Sequence, residues 1–204
     1  MTEQIRNHHL CAHEFVEVGW KMRLIKTNIL LTGPPGSGKT RLIQNIVEDL
    51  KNLGATVGGL LTPEVRVRGE RTGFHVLDIQ TGEKEVMADV SLDSEIKVGR
   101  YGVNVNVIRD LAVNSIVRAM SKCDLIVIDE IGKMELYSTE FQETVEEALS
   151  SPKPLLGTVG ERLNHPFTSR IKELPSVTLM TLTRSNWDQI YGEVKRMILR
   201  TEQA

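Results

Sequence analysis

Long apolar runs are missing from this sequence. No stretch is long enough to span a bilayer, and the first residues lack the apolar core of a secretion signal, so a cytoplasmic chain without a membrane segment is expected. Cysteine is scarce as well. Its two copies, Cys11 and Cys123, lie far apart and suit a reducing compartment. An excess of one charge is also absent: 25 Lys and Arg stand against 27 Asp and Glu, scattered along the chain for a net charge of −2. That balance argues against a dedicated nucleic-acid surface or a membrane-binding face, and leaves a local basic patch open. No internal repeat, low-complexity tract or Pro/Gly-rich linker divides the chain. What is there is ordinary for a globular protein: 204 residues, 40 % apolar and 25 % charged. One domain of that length buries roughly 70 % of its unfolded surface.

The first 21 residues stand apart, polar and His-rich with little periodicity, and Met22 follows them directly. They read as a poorly ordered extension, or else Met22 is the natural start; either way 22–204 is expected to form the single domain. His8, His9, Cys11 and His13 match no standard zinc spacing, so no metal is expected there.

Five runs are continuously apolar, as strands covered on both faces are: NILLT (28–32), TVGGLL (56–61), LIVID (125–129), PLLGTV (154–159) and VTLMTL (177–182). Helical periodicity separates them. Segment 39–53 sets Leu42, Ile43, Ile46, Val47 and Leu50 on one stripe, and 107–120, 139–149 and 186–199 are similar. Segment 161–174 is weaker, broken at His165-Pro166. Ser138-Thr139-Glu140 ahead of Phe141 supplies N-cap chemistry. Strands alternating with helices predict an α/β fold, with a mainly parallel sheet and helices on both faces.

Residues 62–106 break the rhythm. Short alternating segments punctuated by RGERTG and QTGE predict an antiparallel β excursion. Arg66 and Arg68 fall two apart, which would put them on one strand face. Either they and Arg71 reach a phosphate, a base or a second substrate, or they solvate a hairpin; Arg68 is assigned to the second role. Phe74 and Tyr101 suit a small core better than a base stack.

The motif GPPGSGKT at 33–40 fits G-x-x-x-x-G-K-[ST] in full, directly after a strand and opening a helix. Its glycines let backbone N–H groups curl toward phosphate oxygens, and the helix N-terminus adds partial positive charge. Lys39 is placed to bridge the β- and γ-phosphates, and the Thr40 hydroxyl to ligate Mg²⁺. Across the sheet edge, CDLIVIDEIGKMEL ends an apolar strand on Asp129 and Glu130. Ligands of open α/β sheets sit beyond the carboxyl ends of the strands, so these acids face the phosphate loop. Asp129 is the expected second metal ligand, and Glu130 the group that orients or deprotonates the attacking water. Lys133 either neutralises charge on the transferred phosphoryl or pairs with Glu135 or solvent.

Together GPPGSGKT, TPEVR with RTGFHVLDIQTGE, KVGRYGVNV, DLIVIDEIGKMEL and LLGTV resemble the nucleoside-triphosphatases related to nucleotide kinases, over about residues 23–200. That family includes the cancer-related nucleoside-triphosphatase and its bacterial and archaeal relatives. The resemblance implies a RecA-like P-loop core and Mg²⁺-dependent hydrolysis of the γ-phosphate of ATP, GTP, CTP and UTP. It also implies nucleotide contacts on Gly33, Pro34, Pro35, Gly36, Ser37, Gly38, Lys39 and Thr40. A second set falls on Leu125, Ile126, Val127, Ile128, Asp129, Glu130, Ile131 and Gly132. Two positions depart from the family pattern: Arg41 stands where a second Thr often follows GKT, and Trp187 replaces the arginine of T-x-E-N-R-D. Hydrolysis by a monomer is the leading expectation, with a protein partner left open. A small-molecule kinase closing Arg162 and Arg170 over its donor is the alternative, and a nucleotide-operated switch is another.

Overall fold

The computed structural model describes residues 20–203. Most of the expected extension, with His8, His9, Cys11 and His13, lies outside the described residues. Its last two residues do not: strand β1 (Trp20–Leu24) begins before Met22. Then come β2 (Asn28–Thr32), α1 (Lys39–Asn52), β3 (Val57–Leu61), β4 (Glu64–Val67), β5 (Glu70–Asp78), β6 (Lys84–Asp89), β7 (Lys97–Val98) and β8 (Tyr101–Val103). A long helix, α2, covers 105–122, with a π-helical stretch at Ile108–Ala112. After it follow β9 (Leu125–Ile131), a 3-10 turn at Glu135–Tyr137, α3 (Thr139–Ser150), β10 (Leu155–Val159) and α4 (Pro166–Lys172). The chain closes with β11 (Val177–Thr181), α5 (Trp187–Ile198) and β12 (Leu199–Gln203), the last pairing antiparallel with β1 in a separate ribbon.

Ten strands form one sheet in the order β11-β2-β10-β9-β3-β5-β6-β8-β7, with β4 on β5. The first five are parallel; β5 joins β3 antiparallel, so the excursion extends the sheet at one edge. Alternation along each central strand feeds two cores. Leu30, Ile126 and Ile128 pack with α2 and α3, while Ile29, Leu31, Leu125 and Val127 pack with α1 and α5. The result is a three-layer α/β fold, as the sequence predicts. Its excursion is tied down by Asp78, 1 % exposed, which accepts from Ser115 Oγ at 2.8 Å and from Arg118 on α2.

Two strand expectations need correction. β11 is not covered on both faces: as the edge strand it leaves Thr178, Leu179 and Thr181 exposed, and only Met180 is buried among its residues. Arg68 is not on a strand face with Arg66. Val67 pairs with Glu70, and Arg68 (φ 50°) with Gly69 (φ 85°) makes the two-residue hairpin turn. Phe74 and Tyr101 meet edge to face at 5.5 Å and pack on the first core, as expected.

Close approach of two strands makes Gly59 a test of the sheet. It has φ 108°, and a Cβ there would lie 2.0 Å from Val127 O. Gly54, at φ 84° in open space, carries the backbone strain alone. Gly59→Ala should lower unfolding free energy in urea by about 2 kcal/mol or more. Gly54→Ala should cost about 1 kcal/mol. Equal costs would mean that the strand spacing yields freely.

Candidate functional site

The phosphate loop occupies 33–38, between the end of β2 and the start of α1. Its glycines adopt left-handed backbone, with φ 137° at Gly33, 74° at Gly36 and 96° at Gly38. Gly33 is also forced by contact, since a Cβ would meet Leu182 O at 2.1 Å. Gly38 caps α1, whose buried stripe is the five residues read from the sequence, so the helix points its N-terminus into the loop. Pro34, Pro35 and Gly36 are exposed, whereas Ser37 is 4 % exposed. Lys39 Nζ donates to Gly33 O at 2.9 Å and to Pro34 O at 3.4 Å, which folds the ammonium over the loop.

Asp129 closes the unbroken buried run Leu125–Asp129 of β9 and is 1 % exposed. The register of β10 against β9 shifts between Gly157 and Val159. Inside that shift Thr158 Oγ1 donates to Asp129 Oδ1 at 2.7 Å. The other oxygen, Oδ2, has no partner. Burial pushes the Asp129 carboxyl above the usual range, opposed by Thr158, Thr40 and the Lys39 charge. Thr32 Oγ1, Ser37 Oγ and Asp129 Oδ2 are the three buried side-chain polar atoms without a partner among the described residues, and all lie at the loop or the strand ends beside it. An orphaned buried polar group costs about 1–3 kcal/mol. Three in one place define a site shaped for a polar ligand.

Glu130 is half-buried, joined to Asp129 by a cis peptide bond. Its carboxyl is raised by burial, then by the Asp129 charge, with Lys39 opposing. Beyond it the structure adds a carboxyl that the sequence offers only as one possible partner of Lys133. Glu135 is 4 % exposed, so it does not pair in solvent with Lys133, which is exposed. A Cβ built on Gly132 would lie 2.7 Å from Glu135 Oε2 and 3.1 Å from Glu130 Oε1, so the two side chains converge on one spot. Burial, reinforced by the charge of Glu130, pushes Glu135 up to about 8. Leu125, Ile126, Val127, Ile128 and Ile131 are wholly buried, so they can serve a nucleotide only by holding β9 in place.

Other candidates face elsewhere. Arg66 and Arg71 both pair with Glu64, at 2.6 and 2.7 Å, and Arg71 Nε donates to Tyr101 Oη at 3.2 Å. Arg170, a lid arginine in the kinase alternative, pairs with Glu146 on α3, and Arg162 is exposed. Thr158 and Glu135 are the residues that sequence reasoning missed. Their signals are a hydroxyl inside an apolar strand and a Glu set between Met134 and Leu136.

A Walker-type loop on β2, an acidic strand end on β9 and a three-layer sheet define a P-loop nucleoside-triphosphatase. The model of the family described as NTPase matches residues 28–195, and the chain belongs to that family. The nucleoside-triphosphatase THEP1 of Methanothermobacter thermautotrophicus is 43 % identical over 163 residues, 80 % of this chain and 91 % of that one. The crystal structure of THEP1 from the hyperthermophile Aquifex aeolicus matches with TM-score 0.76 and 35 % identity, covering 84 % of this chain and 99 % of the other. The solution structure of a human cancer-related nucleoside triphosphatase matches with TM-score 0.71 and 34 % identity, covering 83 % and 96 %. The family resemblance read from the motifs is thus borne out.

The raised Glu135 carboxyl gives stability a pH dependence of definite sign. The folded chain holds that proton more tightly than the unfolded one, so its contribution is complete below pH 4.5 and is lost as pH rises to about 8. The Tm of the parent should carry a decline over that window that Glu135→Gln, neutral throughout, does not. Parallel Tm–pH profiles would show that Glu135 ionises freely in the fold.

Proposed function

We propose that the chain hydrolyses the γ-phosphate of ATP, GTP and other nucleoside triphosphates to the diphosphate and inorganic phosphate, using Mg²⁺. The observation that carries this reading is the set of orphaned buried oxygens around a glycine loop that ends in Lys39. Backbone N–H groups of 33–38 and the α1 N-terminus bind the polyphosphate, and Lys39 moves from the Gly33 and Pro34 carbonyls to phosphate oxygens. The free Oδ2 of Asp129 and the Thr40 hydroxyl are hard oxygen donors that fit Mg²⁺ and would hold it. When bound, the ion supplies neutralisation of the β- and γ-phosphate charge.

Glu130 sits one residue beyond, and burial, which raises its carboxyl above the usual range, makes it a better proton acceptor. It orients a water against the γ-phosphorus. As the new P–O bond forms, the bond to the β–γ bridging oxygen breaks, and the water proton passes to Glu130. Glu135, protonated at neutral pH, buttresses that carboxylate without adding a second charge. Lys133, exposed beyond the strand end, is free to swing toward the transferred phosphoryl. Among the described residues no helix is long and apolar enough to cross a membrane.

Phosphate release from each triphosphate, with Mg²⁺ and with EDTA, tests the reading. Glu130→Gln should keep nucleotide binding and lose about 10²–10⁴ in turnover. Lys39→Ala should abolish tight triphosphate binding. Parent-like hydrolysis by Glu130→Gln would remove Glu130 from the chemistry. Phosphate transfer to an acceptor that outruns phosphate release would favour the kinase.

A further inference from the structure

The phosphate loop explains the polyphosphate and leaves the nucleoside end unassigned. Trp187, the first residue of α5, lies directly against the loop. Its Nε1 donates to Gly38 O at 3.3 Å. A Cβ on Gly38 would come within 3.0 Å of that nitrogen and 3.1 Å of Cδ1, so the indole is docked by its polar edge on the residue before Lys39. The ring is held from behind. Tyr191, one turn further along α5, stacks on it with 5.2 Å between centroids and 12° between planes. The Tyr191 hydroxyl donates to Asp49 on α1, and Lys195 Nζ reaches the same carboxylate at 2.6 Å. From α1, the exposed Arg41 brings its guanidinium to 5.6 Å from the Trp187 centroid. Arg184, at the head of the same turn, donates from Nε to Gly36 O at 3.3 Å.

Arg41 and Trp187 lie far apart in sequence, yet they form one cation–aromatic pair at the rim of the phosphate loop. A triphosphate seated on residues 33–40 would have that rim within reach of its sugar and base. We propose that Trp187 is the nucleobase platform and Arg41 its clamp: Tyr191 covers one face of the indole, and the exposed Arg41 side chain swings off the other to admit the base and closes over it. This rests on the triphosphate reading above and adds to it the site of the nucleoside. Every base has a π-face, so a stacking platform selects for a nucleoside without choosing among bases. The indole N–H is already committed to Gly38 O, so the platform itself reads no base edge.

Calorimetric titration of the full chain with non-hydrolysable analogues of ATP and CTP, and in parallel with inorganic tripolyphosphate, tests the platform. Trp187→Ala should weaken both nucleotides by about ten- to a hundredfold and leave tripolyphosphate unchanged. Trp187→Phe, which keeps a ring and loses the bond to Gly38, should stay within a few-fold of the parent for all three. Arg41→Ala should weaken the nucleotides more than tripolyphosphate. Equal losses for nucleotides and tripolyphosphate in both Trp187 variants would make the indole a brace for the loop and overturn the platform. Parent-like nucleotide binding by Trp187→Ala would overturn it as well. A parent that binds neither nucleotide nor tripolyphosphate would overturn the triphosphate reading itself, and the platform with it.

Discussion

A carboxylate sealed inside the sheet edge, with one oxygen satisfied and one not, sets the terms for the rest of this molecule. Asp129 sits where β9 stops being apolar, and its Oδ1 is taken by Thr158. Leaving Oδ2 without a partner in a buried position costs free energy that Thr40 and the Lys39 charge only partly offset. Such a group persists when a ligand completes it, because an isolated buried charge would otherwise neutralise or be replaced. Its neighbours carry the same signature: Thr32 at the end of β2 and Ser37 in the loop keep their hydroxyls buried and unbonded. The strain is concentrated at one spot while the two cores are filled by aliphatic side chains. That concentration is what separates a binding site from a packing fault.

Topology turns that local cost into a usable geometry. Strand β10 lies between β2 and β9, so the loop and the acid face each other across the width of one strand. The hydroxyl that steadies Asp129 comes from that intervening strand, at the point where its register slips. Gly33 lets the loop leave β2 against the backbone of Leu182. The antiparallel excursion grows from the far side of β3 and ties its arginines to Glu64, so it widens the sheet without covering the cradle. Strand ends converge because the parallel sheet puts them there, and the side chains need little further adjustment to meet.

The parts legible in the sequence are those whose signal is local. GPPGSGKT declares a loop, a helix start and a lysine within eight residues, and LIVIDE declares a buried strand with an acid at its tip. The central strands and the helices fell within a few residues of their expected bounds because apolar periodicity survives any tertiary arrangement. Edge position does not. VTLMTL reads like LLGTV, but β11 has a neighbour on one side and solvent beyond, which composition alone cannot reveal. Glu135 was legible only as one possible partner of Lys133 for a related reason: spacing cannot tell a surface pair from a side chain that the chain path at Gly132 brings back beside Glu130. Thr158 is invisible as a ligand-holding residue until the register shift brings it to Asp129.

The nucleoside end illustrates the same limit and how structure passes it. Arg41 and Trp187, taken singly, are two unrelated residues 146 positions apart in the sequence. In the fold they share one rim, and Gly38 links that rim to the phosphates. Its carbonyl accepts from the Trp187 indole, while its left-handed backbone opens the helix whose N-terminus faces the loop. A base resting on Trp187 would therefore lie beside the residue that precedes Lys39, so both ends of a nucleotide would be held within one short stretch of backbone. A site of that kind favours a substrate that carries both a polyphosphate and a ring over one that carries either alone. It asks nothing of the identity of the ring, because stacking and a guanidinium cover read shape and charge and leave the hydrogen-bonding edge unread.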